Sequence, residues 1–146
     1  MFLNDIATAG AIPTLEHAIR FAGQRQRLIA HNVANYSTPN FTPLDASPRD
    51  FQKALADAIG DRRGKTAGMH GELEWDETSE LKRDDRGELM IEPSGQQSAI
   101  LFHDRAHRDL ERLMQDQAEN AGVYRVSMEL LRSRYQQIND AIAARV

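Results

Sequence analysis

The residues that come nearest to a metal or catalytic site in this sequence are His103, His107 and Glu111, which are spaced four residues apart. On a helix that begins before His103, this spacing places all three side chains on one face, where imidazole and carboxylate groups could hold a divalent cation. No wider ligand set and no zinc-protease motif accompanies them. A charged surface at the start of a helix explains the same residues, so we expect no metal and no other cofactor.

Other catalytic groupings are weaker still. The carboxylate pairs Asp76-Glu77 and Asp84-Asp85 lie in the most charged part of the chain, whereas catalytic pairs need desolvated and different surroundings. The absence of cysteine excludes thiol catalysis, disulfides and cysteine-ligated metals. His17 and His31 have no carboxylate cluster near them in sequence and are expected at a surface or an interface. We therefore predict that the protein is not an enzyme.

Charge and hydropathy exclude further classes. The 146 residues carry a net charge of −4, but Glu72 to Glu92 holds nine acids and three bases, which leaves the remainder near +2. Such a distribution lacks the basic face of a nucleic-acid-binding protein. No stretch approaches the roughly 20 apolar residues of a membrane span. The first basic residue is Arg20, so we expect no cleavable signal peptide.

Heptad spacing predicts a long helix near each end of the chain. Between Ile12 and Asn35, with Pro13-Thr14 as a plausible start, the spacing alternates between four and three along Leu15, Ile19, Ala22, Gln26, Ile29 and Val33. The second helix continues for more than four heptads without proline, along Leu110, Met114, Gln117, Ala121, Tyr124, Met128, Leu131, Tyr135, Ile138 and Ile142.

A narrow apolar stripe on a long helix must be buried against a partner. We therefore predict a mainly α fold in which the two helical arms, residues 1–35 and 105–146, pair as a coiled-coil hairpin. The second arm is longer, so part of its stripe is left for other subunits. Gln26 and Gln117 interrupt the stripes, either to fix the register of pairing or simply to face water.

The middle segment, residues 36–104, lacks the heptad pattern of the two arms and is expected to be loop-rich and acidic. Three prolines between Tyr36 and Pro48 predict an extended, turn-rich stretch. A short amphipathic helix is expected from Asp50 to Ile59, ended by Gly60 and followed by a flexible glycine-containing loop. Short strands at Glu72–Trp75 and Glu88–Glu92 flank a candidate β-hairpin.

The most informative segment follows the first helix, from Ile29 to Phe41. Asn32 and Asn35 are poor helix formers but can cap terminal carbonyls and bond to neighbouring backbone. Thr38-Pro39 ends the helix, and Asn40 suits the left-handed conformation of a sharp turn. By these features alone, the segment fixes the angle at which the chain leaves the helix.

This segment and its position resemble the signature of the flagellar basal-body rod proteins. The matching residues are Asn32, Val33, Ala34, Asn35, Thr38, Pro39 and Phe41, while His31 and Asn40 stand where the family usually has Asn and Gly. The second arm is also similar to the family, through Asp109-Leu110-Glu111, Met114, Ala118-Glu119-Asn120 and Tyr124. In the family, an Asn pair usually precedes the stretch that corresponds to Asp109-Leu110-Glu111, and in this chain Ala106-His107 stands in that place. Because the Tyr-x-x-Asn pattern of distal-rod and hook relatives is absent after Tyr124, the resemblance is to the proximal members.

The resemblance implies a structural subunit of the rod that transmits torque, exported without cleavage to the periplasmic part of the basal body. Its implied partners are other rod subunits, the junction with the membrane ring, the flagellar type III export apparatus and further copies of itself. Subunit packing is assigned to Leu15, Ile19, Ile29, Val33, Leu110, Met114, Tyr124, Met128, Leu131, Tyr135, Ile138 and Ile142. The alternatives are a soluble coiled-coil adaptor or regulator, another rod-family member, and a small metal-dependent enzyme.

Overall fold

A computed structural model describes residues 10–67, 70–95 and 105–144 of the chain, with side chains excepted at 95 and 105–109. In these ranges the fold is mainly helical, with long helices toward both ends, and this part of the expectation is confirmed. The helices are α1 (Ile12–Ala34), α2 (Pro48–Thr66) and α3 (Arg105–Ala143). The strands are β1 (Leu44–Asp45), β2 (Leu81–Arg83), β3 (Leu89–Ile91) and β4 (Ser94–Gly95).

Helices α1 and α3 run antiparallel and contact each other along much of α1. The Tyr135 hydroxyl lies 3.2 Å from Glu16 near the start of α1, whereas Arg25 lies 3.5 Å from Asp116, further along α1 and earlier in α3. With 39 residues, α3 is about 58 Å long at 1.5 Å per residue. The 23 residues of α1 cover little more than half of that length. No described helix is long and apolar enough to cross a membrane.

Helix α2 is longer than the sequence predicts. The expected end at Gly60 is wrong, because the helix continues through Gly60 and Gly64 to Thr66. Each glycine costs about 1 kcal/mol relative to alanine, but long-range contacts offset that cost. Arg62, between the two glycines, is buried and donates to the carbonyl oxygen of Gly10. The helix begins at the Ser47 cap, whose hydroxyl accepts the Asp50 N–H at 3.2 Å.

Two antiparallel strand pairs complete the middle segment. A β-hairpin is present and includes the expected strand near Glu88–Glu92, but its partner is β2 rather than residues 72–75, with Leu89 opposite Arg83. Its turn is closed by the Asp84 carboxylate, which accepts the N–H groups of two residues in the turn. The expected strand at Glu72–Trp75 is wrong, since these residues form no ladder. The second pair joins β1 to β4 and so brings together the two ends of the described middle segment.

The main hydrophobic core lies between α1, α2 and the strands of the middle segment. Phe21 of α1 stacks on Phe51 of α2 with ring centroids 4.1 Å apart and planes within 6°. The buried cluster comprises Phe21, Ala46, Phe51, Ala58, Leu73, Trp75, Leu81, Leu89 and Ile91. Within the described ranges α3 contributes no residue to this cluster. Helix α1 therefore has two packed faces, one against the middle segment and one against α3.

Candidate assembly surfaces and the chain-reversal motif

The end of α1 is tied to the chain that follows it by the side chain of Asn32. This residue is 3% exposed. Its amide nitrogen donates to the Leu44 carbonyl at 2.6 Å, and its amide oxygen accepts the Leu44 N–H at 3.0 Å. The side chain thus satisfies both backbone groups of Leu44 at the start of β1. This Asn32–Leu44 amide pairing holds the returning chain beside α1.

The turn itself is built by the neighbouring residues of the same motif. Asn35 caps the helix: its backbone N–H and its side-chain amide donate to the His31 carbonyl at 3.1 and 2.9 Å. The Thr38 N–H then donates to the Asn35 carbonyl at 2.9 Å. Asn40 adopts a left-handed φ of 60°, and Phe41 lies edge-on to His31. The predictions of a cap at Asn35 and of a left-handed Asn40 are confirmed, whereas Asn32 bonds to the backbone of Leu44, twelve residues further along the chain.

The remaining motif residues lie at the surface of this turn. Ala34, Thr38 and Pro39 are exposed, and Phe41 is half-buried. They therefore leave one side of the turn open to solvent.

A buried arginine joins all three parts of the molecule. The Arg25 guanidinium donates through Nε and Nη2 to the two carboxylate oxygens of Asp45, both at 3.0 Å. The same Nη2 lies 3.5 Å from Asp116 on α3. Burial disfavours the charged guanidinium, but the bonds and charges of the two carboxylates outweigh it and raise the pKa of Arg25. Arg25 therefore remains charged and connects α1, β1 and α3.

A second polar contact lies in the α1–α3 interface. Asn120, 4% exposed, donates its side-chain amide to the Ala22 carbonyl and to Gln26 Oε1, each at 2.9 Å. Gln26 is therefore bonded across the interface, whereas Gln117 is exposed. A buried polar pair of this kind favours one register of helix packing, because a shift along the axis leaves it unbonded.

At the far end of the interface, the Tyr135 hydroxyl donates to the Glu16 carboxylate at 3.2 Å. Partial burial, followed by the negative charge of Glu16 and this bond, raises the pKa of Tyr135. The phenol therefore stays protonated and able to donate throughout the neutral pH range.

The residues assigned to subunit packing differ widely in exposure. On α1, Ile29 is buried, and Leu15, Ile19 and Val33 are half-buried. On α3, Leu110, Leu131 and Ile138 are half-buried. The other five on α3 are exposed by 39 to 56%: Met114, Tyr124, Met128, Tyr135 and Ile142.

The face of α3 that contacts α1 is centred beside the predicted stripe rather than on it. Its buried residues are Asn120 and Ser127, each one position before an expected stripe residue. By helical periodicity, exposed apolar side chains flank this line on both sides. We call them the α3 apolar flanks: Met114, Tyr124, Met128, Tyr135 and Ile142 on one side, and Val123, Val126 and Leu130 on the other.

The middle segment carries an open groove of about 690 Å³ between α2 and residues 74–83. Asp50, Asp57 and Asp61 lie along the α2 wall, and Asp76 and Glu80 lie on the opposite wall. Glu74 and the three bases Lys53, Lys65 and Arg83 also line it, so the groove has six carboxylates against three cations and is net acidic.

The candidate metal ligands fall largely outside the described residues. His103 lies outside them, as does the side chain of His107, while Glu111 is exposed on α3. Among the described residues no group of three or more histidine, aspartate or glutamate side chains could hold a metal ion.

Comparisons with protein-family models, with curated proteins and with solved structures give no match to this chain. The functional conclusion therefore depends on the chain's own residues and contacts.

Several residues that organise these contacts are not evident from the sequence. Arg25 and Asp116 lie among other charged residues, Asp45 lies in a stretch with three prolines, and His17 has no recognisable partner nearby in sequence. The sequence gives one indication that Arg25 is buried. It follows Ala22 of the heptad stripe by three positions and therefore lies near the packed face of α1.

Proposed function

We propose that this chain is a structural, non-enzymatic subunit of the bacterial flagellar basal-body rod, most like the proximal rod protein FlgB. In this proposal α1 and α3 form a coiled-coil hairpin that packs laterally on neighbouring subunits. Two features support it: the resemblance of residues 31–41 and 109–124 to the rod-family signature, and the antiparallel α1–α3 contacts joined by the Asn120 bonds.

The observation that carries the proposal is the exposure of the α3 apolar flanks. Of the described α3 side chains, those that are buried are the polar Asn120 and Ser127, while eight large apolar side chains are exposed. Scattered single apolar residues are normal on a surface, but a continuous set along one helix is typical of an interaction surface. Helix α3 is therefore suited to burial between molecules.

The arrangement of the flanks suits a polymer. Because they lie on both sides of the line that contacts α1, one subunit can meet two neighbours through the same helix. A repeated interface that does not close on itself produces a helical assembly. The proposed neighbours are other rod subunits and the junction with the membrane ring, reached through the flagellar type III export apparatus.

A charge placed in the α3 apolar flanks tests the proposal. In a host that lacks its own copy, we expect Leu130→Asp to prevent incorporation into basal bodies, because assembly would bury an unpaired carboxylate. The matched control is Ser133→Asp, which adds the same charge at an exposed polar position three residues away. Because Leu130 is exposed in the single subunit, purified Leu130→Asp should keep the helical circular dichroism of the unchanged protein. Normal incorporation of folded Leu130→Asp would contradict the proposed surface.

Deletion of the chain in its host tests the role itself. We expect loss of swimming and isolated basal bodies that keep their membrane rings but lack an attached rod. Bodies that retain the base of the rod and lack its outer part would instead indicate another rod-family member. Intact rods with normal swimming would overturn the assignment to the rod.

The principal alternative is a soluble coiled-coil adaptor, and the observation that favours it is the acidic groove of the middle segment. An adaptor should form a dimer of fixed size that remains folded on dilution. A rod subunit should not form a dimer of fixed size, because its α3 apolar flanks become buried only when neighbouring subunits join it in a polymer. Sedimentation over a range of concentrations separates the two.

A further inference from the structure

His17 lies on the face of α1 that packs against the middle segment, in contact with the hydrophobic core. It lines a cavity of about 10 Å³, close to the space that a single water needs. The remaining lining residues are all apolar: Phe51, Ala54, Leu55, Trp75, Leu81 and Leu89. The side of the His17 ring that faces this cavity therefore has no room for a hydration shell.

The imidazole lacks a polar partner on its buried side. Among the described residues, no group accepts from or donates to His17 Nδ1, which is inaccessible to solvent. The ring lies edge-on to Trp75, with centroids 6.3 Å apart and planes at 75°. A neutral imidazole tolerates this position better than an imidazolium, because both ring nitrogens of the charged form must donate.

The charges around His17 are positive. Arg20 lies on the same helix, and the Arg83 guanidinium of β2 lies 5.0 Å from the Trp75 ring centroid. In the described part of the chain, α2 and β3 present only apolar residues to the cavity, and Glu88, just before β3, is paired with Arg20 at 2.7 Å. Burial, followed by the charges of Arg20 and Arg83, lowers the pKa of His17 from its ordinary value of 6.5.

We propose that His17 is a pH switch in the contact between α1 and the middle segment, so that proton uptake by its imidazole loosens the middle segment from the helix. The Nδ1–H of the imidazolium would be buried without an acceptor, and the positive charges of Arg20 and Arg83 would oppose that of the ring. This inference uses the α1–middle contact and does not depend on the assembly role proposed above.

Acid should weaken the contact between α1 and the middle segment, because the opened state binds the His17 proton more tightly than the packed state. At pH well above 6.5 the imidazole is neutral in both the packed and the opened state, so the contact has its full stability. As the pH falls below 6.5, the opened state takes up the proton first. The ratio of packed to opened molecules then falls by up to about tenfold per pH unit, until the packed state is protonated as well.

The experiment is urea unfolding of the intact chain from about pH 5 to about pH 7.5, the range in which histidine titrates, monitored by the fluorescence of Trp75, the only tryptophan. His17→Gln should remove this part of the acid dependence. His31→Gln is the matched control, since His31 lies exposed on the same helix, 5.5 Å edge-on to Phe41; it should retain the dependence. If His17→Gln loses stability with acid as steeply as the unchanged protein, the proposal is wrong.

A second measurement covers the case in which His17→Gln does not fold. Nuclear magnetic resonance of the unchanged protein follows the His17 ring and the Trp75 indole as the pH is lowered. We expect the His17 ring to titrate below pH 6.5 and the Trp75 indole resonance to move with the same midpoint. An indole resonance that stays constant through the His17 titration would overturn the proposal.

Discussion

Replacement of Arg25 by methionine is the sharpest test of how the three parts of this molecule are joined. The substitution keeps a long side chain of similar volume, so it removes the charge without opening a large cavity. It leaves Asp45 and Asp116 unpaired at positions where their side chains are only 16% and 27% exposed. Breaking a buried ion pair costs about 3–5 kcal/mol, and partial hydration of the two carboxylates reduces that cost. We therefore expect a loss of about 2–3 kcal/mol in the free energy of unfolding.

The assay is urea unfolding followed by tryptophan fluorescence, with Arg27→Met as the matched control. Arg27 lies on the same helix and is exposed, so its replacement should change the stability by less than about 0.5 kcal/mol. In the background of Arg25→Met, Asp45→Asn should restore part of the loss. The asparagine is uncharged, and its amide oxygen can still accept the Ala46 N–H that Asp45 accepts at 2.8 Å.

Two results would refute this reasoning. If Arg25→Met is no more destabilising than Arg27→Met, the buried guanidinium does not join the three parts. If the effects of Arg25→Met and Asp45→Asn are simply additive, the two side chains are not energetically coupled.

Three further predictions concern the same unfolding assay. Asn32→Ala leaves the N–H and carbonyl of Leu44 without their partner and should cost about 1–3 kcal/mol; a loss no larger than that of Asn35→Ala, which removes an exposed cap, would contradict the amide pairing. Phe21→Ala removes the ring that stacks on α2 and should cost about 3–5 kcal/mol; a loss below about 1 kcal/mol would place Phe21 outside the core. Gly64→Ala should stabilise the protein by about 0.5–1 kcal/mol, since an added Cβ there meets no atom within 4 Å; an unchanged or lower melting temperature would count against a continuous α2.

The sequence predicts those features of the fold that depend on neighbours close along the chain. Helix α1 ends one residue before the predicted Asn35, because capping by that side chain involves His31, four residues earlier. The left-handed conformation of Asn40 is also predictable locally, because asparagine is one of the few residue types other than glycine that adopt it readily.

Features that depend on distant partners were not predictable in this way. The helical state of Gly60 and Gly64 depends on contacts such as that of Arg62 with Gly10, which lies 52 residues earlier. The segment at Trp75 alternates buried and exposed residues as a strand would, but β2 rather than this segment pairs with β3.

The difference between contacts with near and with distant residues also explains why the candidate site was only partly predictable. The heptad stripe of α3 indicates that one side of the helix is apolar, but the position of α1 beside that stripe is fixed by particular polar bonds. Asn120 reaches Ala22 across 98 residues of sequence, and spacing within one helix cannot reveal such a partner.

Oxidation of the exposed methionine side chains would report which surfaces of the protein are covered. Three of the five methionines, Met90, Met114 and Met128, are exposed by 43 to 46%. Oxidants convert an accessible thioether into a polar sulfoxide. If the α3 apolar flanks are covered in a polymer, Met114 and Met128 would be protected there, whereas Met90 on β3 would continue to react. The ratio of their sulfoxides in one sample would then measure how much of the chain is assembled, with an internal reference in every molecule.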